Sequence, residues 1–189
     1  MRGAAASART DWRSLPNLLT LSRLPMAGLV WIRPSDTAFV LGLMVLAGLS
    51  DVLDGWLERK RRQRLGIPEG GGESIGAWLD PLCDKVFILS VLIAITAAHS
   101  LPWWIIPLIA LREILQTLIV AATRALPALR QRLRPRFKAN VLGKLTTVVQ
   151  FVTIGAILLN KPGVIPLALA TAGLGVIAVA VYVRRAMAA

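Results

Sequence analysis

The sequence predicts an all-α integral membrane protein, a bundle of six transmembrane helices with both termini in the cytoplasm. Hydrophobic residues make up 56% of its 189 residues and charged residues only 17%, against about 25% charged residues in a typical soluble domain. The apolar residues gather in stretches long enough to cross a bilayer, and the basic residues gather between those stretches. We expect one domain over residues 1–189, and no nucleic-acid partner despite the net charge of +12.

Six stretches of the sequence meet or approach the length of about 20 apolar residues that a transmembrane helix needs. They are Leu15–Trp31, Ala38–Leu57, Ile75–Ala98, Trp103–Leu126, Val141–Leu159 and Val164–Val183. The first stretch begins with polar residues, so it can start as an interfacial helix. Several residues that break helices fall between the stretches, among them Pro34, Pro102 and Pro162.

Basic residues accumulate in the connections that we place in the cytoplasm. Most of the 22 lysines and arginines lie in the N-terminal segment 1–14, the glycine-rich loop 60–75, the segment 130–138 and the pair Arg184 and Arg185. Because positive charge favours the cytoplasmic side, the pattern places both termini and these connections in the cytoplasm. We expect a multi-pass protein, and we expect its membrane to be a bacterial inner membrane. These residues also suit an anionic lipid bilayer, and recruitment of an anionic substrate is the alternative interpretation.

Four aspartates lie near the cytoplasmic ends of the second and third stretches, where a charged side chain is costly and therefore a functional candidate. Asp51 and Asp54 are three residues apart, and Asp80 and Asp84 are four apart, so each pair shares one helix face. Four carboxylates at one depth repel one another unless hard cations such as Mg²⁺, Mn²⁺ or Ca²⁺ bind between them. The alternative is that each aspartate pairs with a nearby arginine or caps a helix.

This region resembles the signature of the CDP-alcohol phosphatidyltransferase family, D-x-x-D-G-x-x-A-R followed by G-x-x-x-D-x-x-x-D. The matching residues are Asp51, Asp54, Gly55, Arg59, Gly76, Asp80 and Asp84. Other landmarks are similar to the family's glycerophospholipid branch, namely Pro16, Asn17, Thr20, Arg23, Arg112, Glu113, Gly143, Lys144, Thr146, Thr147 and Gln150. In two departures from the pattern, Glu58 replaces a small alanine and the spacer 60–75 is longer than usual.

The resemblance implies that CDP-diacylglycerol donates a phosphatidyl group to an alcohol and that CMP is released at the cytoplasmic side. It implies two Mg²⁺ or Mn²⁺ ions held by Asp51, Asp54, Asp80 and Asp84, with Asp84 also taking the proton of the attacking hydroxyl. The residues expected to bind the cytidine diphosphate group are Gly55, Arg59, Gly76, Asn17 and Thr20. The family also implies a homodimer.

Cations in apolar stretches identify the candidate acceptor site. Arg112 and Lys144 each need an anionic partner in such surroundings, and with Arg23 and Arg124 they are the predicted acceptor-binding residues. Resemblance to phosphatidylglycerophosphate synthases favours glycerol 3-phosphate as the acceptor. Arg124 and the stretch 133–135 look more like cardiolipin synthases of the same family, whose acceptor is phosphatidylglycerol.

The same residues also have structural and non-enzymatic interpretations. Arg112 can pair with Glu113 or with one of the aspartates, and the face formed by Asn17, Thr20 and Arg23 can be a solvated helix start. A divalent-cation transporter accounts for the four aspartates. It leaves the glycines and the arginine that flank them without a role, because those residue types suit a phosphate ligand.

Overall fold

The computed structural model describes residues 15–65, 75–125 and 141–187, in which the regular elements are helices joined by short turns, with no strand among them. The helices are α1 (Leu15–Leu21), α2 (Arg23–Leu29), α3 (Thr37–Leu65), α4 (Ile75–Ala98), α5 (Ile105–Ile109), α6 (Leu111–Ala125), α7 (Val141–Leu158) and α8 (Val164–Met187). The chain divides between Ala94 and Ile95 into two compact units. The predicted all-α class is confirmed for the described residues.

The first predicted stretch forms two helices rather than one. A turn at Ser22 separates α1 from α2, and a short 3₁₀ turn, Val30–Ile32, follows α2. Pro25 explains the interruption, because it has no N–H group to donate to the carbonyl of Leu21. The Ser22 hydroxyl donates to the carbonyl of Leu19 at 2.6 Å, which satisfies one of the acceptors at the end of α1.

Helix α3 extends beyond the apolar residues that predicted it. It begins after Asp36, whose carboxylate accepts the backbone N–H of Phe39 at 3.1 Å, as in an N-terminal cap. It ends at Leu65 rather than at Leu57, so the first part of the predicted loop 60–75 is helical. The residues after Leu57 include lysine, arginine, glutamine and leucine, which favour helices. The helix therefore continues past the end of its apolar residues.

The first unit has a core formed by α1–α4. Helix α1 packs on α3, and the fully buried side chains include Val30, Val40, Met44, Val91 and Leu92. Polar contacts join α2 to α4 through Ser90. Its hydroxyl donates to the carbonyl of Ala27 at 2.8 Å and accepts the indole N–H of Trp31 at 2.9 Å.

The second unit contains the remaining helices, with α8 packed on α5, α6 and α7. The predicted stretch Trp103–Leu126 is interrupted at Ala110, where α5 ends. Pro107 removes one backbone donor from the short α5, and Gln150 of α7 donates to the carbonyl of Ile109 beside the junction at 3.3 Å. Small buried residues on α8, such as Ala168 and Ala172, allow the close helix packing typical of membrane proteins.

Two helices of the described residues are long and apolar enough to cross a membrane. They are residues Thr37–Leu57 of α3 and the whole of α8, Val164–Met187. Both expose large apolar side chains, including Val45 and Leu46 on α3 and Leu169 and Ile177 on α8. Such surfaces are rare on soluble monomers and suit contact with lipid. The six-span topology and the cytoplasmic placement of the termini stay predictions.

Candidate functional site

Arg23 lies at the centre of a polar cluster in the first unit. Its side chain is only 1% exposed, and its Nε group donates to the Ser50 hydroxyl of α3 at 3.3 Å. Its Nη1 group forms an ion pair and hydrogen bond with the Asp84 carboxylate of α4. Because burying a guanidinium is costly unless it is paired, these contacts fix α2, α3 and α4 together at this point.

Ser50 is a member of the cluster that the sequence did not single out. Its hydroxyl donates to the carbonyl of Ala47 at 2.8 Å and accepts from Arg23, so it acts both as a donor and as an acceptor. Ser50 directly precedes Asp51, the first aspartate of the signature. A serine beside a predicted metal ligand was the available signal in the sequence, and its burial and its contact with Arg23 follow only from the fold.

Asp84 is oriented from one side and open on the other. Arg23 holds its carboxylate, and the Asp84 side chain remains 50% exposed. Arginine pairing is one of the structural alternatives for the aspartates, and Asp84 does make such a pair. Half of the side chain is nevertheless accessible to a ligand. The neighbouring Cys83 is buried.

The predicted donor residues Gly55 and Arg59 lie together on α3. A Cβ atom placed on Gly55 would be 3.5 Å from the Arg59 Nη1 atom, so the guanidinium folds back over the glycine one turn earlier. Arg59 is otherwise exposed, and the ammonium group of Lys60 lies 3.8 Å from the centre of the Trp56 ring. Thr20, also predicted to contact the donor, is buried in α1.

Several predicted site residues have side chains outside the described part of the structure. Among the described side chains, no three of the types histidine, cysteine, aspartate and glutamate come together as a metal site. Because three of the four aspartate side chains lie outside the described part, the four-carboxylate cluster stays a prediction. The residues concerned are Asn17, Asp51, Asp54, Glu58, Gly76, Asp80 and Arg124.

Arg112 organises a second polar cluster, in the second unit. Its Nη1 group donates to the carbonyl of Gly143 at 3.0 Å and to the hydroxyl of Thr147 at 2.6 Å. The Thr147 hydroxyl in turn donates to the same carbonyl at 3.1 Å. The Nε atom of Arg112 is buried and has no hydrogen-bond partner within the described residues. Among the described residues, the guanidinium thus bonds to neutral oxygens of α7, which do not neutralise its charge.

Glu113 is engaged by α7 rather than by Arg112. Gln150 donates to the Glu113 carboxylate at 3.5 Å as well as to the Ile109 carbonyl. Glu113 is therefore not the observed partner of Arg112, which answers one of the structural alternatives. Lys144, next to Gly143 on α7, is exposed. Most of the landmarks predicted on α6 and α7 thus meet through hydrogen bonds across the two helices.

Gly175 of α8 is a further residue that the sequence did not single out. A Cβ atom on Gly175 would lie 3.0 Å from the Cβ of Arg112, and 3.4 and 3.5 Å from its backbone N and Cα atoms. A glycine among the small residues of an apolar helix carries no signal of its own. Its importance depends on which residue of α6 packs against it.

Comparison with known proteins confirms the family that the sequence resembles. The family model described as CDP-alcohol phosphatidyltransferase matches residues 13–184. A cardiolipin synthase (CMP-forming) of Rattus norvegicus is 30% identical over 171 residues, which cover 82% of this chain and 53% of that protein. A CDP-diacylglycerol--glycerol-3-phosphate 3-phosphatidyltransferase of Cereibacter sphaeroides is 33% identical over 159 residues, or 79% of this chain and 65% of that protein.

A probable phosphatidylglycerophosphate synthase of Mycobacterium tuberculosis is 30% identical over 165 residues, which cover 83% of this chain and 71% of that protein. The chain thus spans about half to two thirds of the length of the first two relatives and somewhat more of the third. No solved structure matches the chain at a significant level.

Proposed function

The chain belongs to the CDP-alcohol phosphatidyltransferase family, and on that premise we propose that it transfers a phosphatidyl group from CDP-diacylglycerol to glycerol 3-phosphate. A hydroxyl of the acceptor attacks the β-phosphorus, the bond from that phosphorus to the oxygen of CMP breaks, and CMP leaves. The product is phosphatidylglycerophosphate. Relatives named for this reaction support the proposal, and family membership favours an enzyme over the cation transporter.

The observation that carries the choice of acceptor is the environment of Arg112. Its charge is held by a carbonyl and a hydroxyl, and its Nε donor is unused among the described residues. A cation in this state is ready to bind an anion. The phosphate monoester of glycerol 3-phosphate carries close to two negative charges, and the exposed Lys144 offers a second cation on α7.

Asp84 is the group that we propose takes the proton from the acceptor hydroxyl. Its side chain is half exposed, so a hydroxyl can reach it, and Arg23 fixes its orientation. General bases need both accessibility and a defined position. Arg23, which was predicted to bind the acceptor, therefore acts in this proposal through Asp84, because its own side chain is buried.

Mg²⁺ or Mn²⁺ would suit the site formed by four aspartates, since all of the protein ligands would be carboxylate oxygens. These aspartates are Asp51, Asp54, Asp80 and Asp84. Helices α3 and α4 contain these residues at spacings of three and four, and the half-exposed Asp84 is open to a ligand. When bound, the metal ions would neutralise charge on the pyrophosphate of the donor. Gly55 and Arg59, with Asn17 and Gly76, would bind the rest of the nucleotide, whereas the predicted Thr20 is only 1% exposed and offers a ligand almost no surface.

Cardiolipin synthesis is the second candidate function. Several relatives carry the name cardiolipin synthase (CMP-forming), and Arg124 belongs to the part of the sequence that resembles them. Phosphatidylglycerol carries one charge on a diester and two acyl chains. It would depend less on Arg112 and Lys144 and more on an opening to the bilayer.

The experiment that separates the two functions is an acceptor panel with product mass determination. Purified protein is incubated with CDP-diacylglycerol, Mg²⁺ and either glycerol 3-phosphate or phosphatidylglycerol. We expect phosphatidylglycerophosphate from the first mixture. Arg112→Gln and Lys144→Gln should lose that product, whereas Lys161→Gln, an exposed lysine between α7 and α8, should retain it. Cardiolipin from the second mixture, with no product from the first, would replace our proposal by the second candidate.

A further inference from the structure

Gly175 is a buried glycine of α8 whose missing side chain leaves room for Arg112 of α6. A Cβ atom at this position would approach the Arg112 Cβ to 3.0 Å, a separation tighter than ordinary van der Waals contact, and its backbone N and Cα to 3.4 and 3.5 Å. These neighbouring atoms belong to the backbone or are fixed to it. They cannot move aside as the far end of a flexible side chain can, so a larger residue would have to displace the helix itself.

We propose that Gly175 is a positioning residue for acceptor binding, an inference that rests on the proposed role of Arg112. By allowing α8 to pack against the backbone of Arg112, Gly175 sets where the arginine side chain leaves α6. The guanidinium then reaches the Gly143 carbonyl at 3.0 Å and the Thr147 hydroxyl at 2.6 Å. Gly175 thus determines, from a third helix, the point at which the acceptor's phosphate meets a fixed cation.

A small displacement at the base of Arg112 has a large effect at its end. The Cβ atom is the root of a long side chain, and the two acceptors on α7 accept bonds only within a narrow range of distance and angle. A shift of a few tenths of an ångström at Cβ therefore weakens both contacts at once. The released guanidinium can adopt many rotamers, and an anion that binds it must then order the side chain.

Gly173 provides a matched control on the same helix. It is exposed, and a Cβ atom at Gly173 would have no neighbour within 4 Å. Replacing either glycine by alanine makes the same chemical change and gives the same gain in helix propensity. Any difference between the two variants therefore reports the contact with Arg112.

The test compares Gly175→Ala with Gly173→Ala and the unaltered protein, using CDP-diacylglycerol and glycerol 3-phosphate. We expect Gly175→Ala to raise KM for glycerol 3-phosphate about tenfold, the equivalent of about one weakened charge-assisted hydrogen bond. KM for CDP-diacylglycerol should stay unchanged. Gly173→Ala should match the unaltered protein in both constants. Equal acceptor KM values for the two alanine variants would overturn the inference.

A double-mutant cycle separates positioning from general loosening of the fold. If Gly175 acts through the Arg112 guanidinium, adding Gly175→Ala to Arg112→Gln should raise the acceptor KM no further. Additive effects in the cycle would contradict the inference. Should Gly175→Ala fail to fold, Thr147→Val releases Arg112 without a steric clash and should give the same selective rise in acceptor KM. An unchanged KM in Thr147→Val would then overturn it.

The shift in unfolding temperature on adding glycerol 3-phosphate serves as a readout that needs no turnover. We expect the shift to be present in the unaltered protein and Gly173→Ala, and to be reduced in Gly175→Ala. Absence of both the shift and the lipid product in the unaltered protein would refute the proposed function, and the inference would fall with it. Normal product from the unaltered protein, with equal shifts in both variants, would refute the inference alone.

Discussion

Replacing Ser50 by alanine tests how the buried Arg23 controls Asp84. The change removes the hydroxyl that accepts the Arg23 Nε–H group at 3.3 Å and leaves the ion pair with Asp84 in place. This distance is at the long end of the range for such bonds. We therefore take the low end, about 1.5 kcal/mol, for a hydrogen bond to a charged group.

The stability and rate effects of this change differ in size. Alanine's higher helix propensity offsets about 0.5 kcal/mol, which leaves a net loss of about 1 kcal/mol and an unfolding temperature roughly 2–4 °C lower. The gain in helix propensity stabilises the fold but does not restore the orientation of Asp84, so it does not offset the loss in kcat. If the bond orients Asp84 through Arg23, losing about 1.5 kcal/mol of that orientation lowers kcat roughly tenfold, with KM for the donor unchanged.

The assay is the initial rate of CMP release at saturating donor and acceptor, measured beside the unfolding temperature. Ser22→Ala is the control, because the Ser22 hydroxyl donates to the Leu19 carbonyl and not to Arg23. It should retain the kcat of the unaltered protein. Equal kcat values for Ser50→Ala and Ser22→Ala, with the expected fall in unfolding temperature, would show that the bond is structural and that Arg23 does not act through it.

Three further predictions concern the proposed metal, base and acceptor groups. Asp80→Asn should abolish transfer while the helix content measured by circular dichroism is retained. Chelation should stop transfer by the unaltered protein until Mg²⁺ or Mn²⁺ is restored. Full activity in the presence of chelator would contradict the metal site. Asp84→Asn should lower kcat by about 10²–10⁴ and leave donor binding measurable, whereas lost donor affinity with normal kcat would make Asp84 a ligand only. Arg112→Lys keeps the charge but loses the planar fork, so its acceptor KM should fall between those of the unaltered protein and Arg112→Gln; a KM equal to that of Arg112→Gln would show that charge alone does not support binding.

The helical class and most helix positions could be predicted from the sequence, because apolar runs reflect local composition. The turn at Ser22 could have been anticipated from Pro25, whose missing N–H is a local property. The extension of α3 to Leu65 was missed because hydropathy marks where a bilayer ends and not where a helix ends. Helix propensity over the basic residues was the better indicator there.

The clusters could be predicted in part. Arg59 lies over Gly55, as a spacing of one helical turn requires. Arg112 contacts the α7 landmarks that resemblance had grouped with it. The roles of Ser50 and Gly175 depend on which helix packs against which, and a single sequence does not contain that information. A buried arginine gains its partners from the whole fold, and these partners come from α3 and α4 for Arg23 and from α7 for Arg112.

The most direct test of the proposed reaction follows the oxygen atom of the acceptor. Glycerol 3-phosphate labelled with ¹⁸O in its hydroxyl groups is incubated with CDP-diacylglycerol, Mg²⁺ and purified protein, and the lipid and nucleotide products are analysed by mass spectrometry. Attack by the acceptor hydroxyl on the β-phosphorus predicts phosphatidylglycerophosphate that retains the label, with one unlabelled CMP released for each lipid formed. Release of CMP at the same rate without acceptor, or the absence of labelled phosphatidylglycerophosphate, would contradict phosphatidyl transfer to glycerol 3-phosphate.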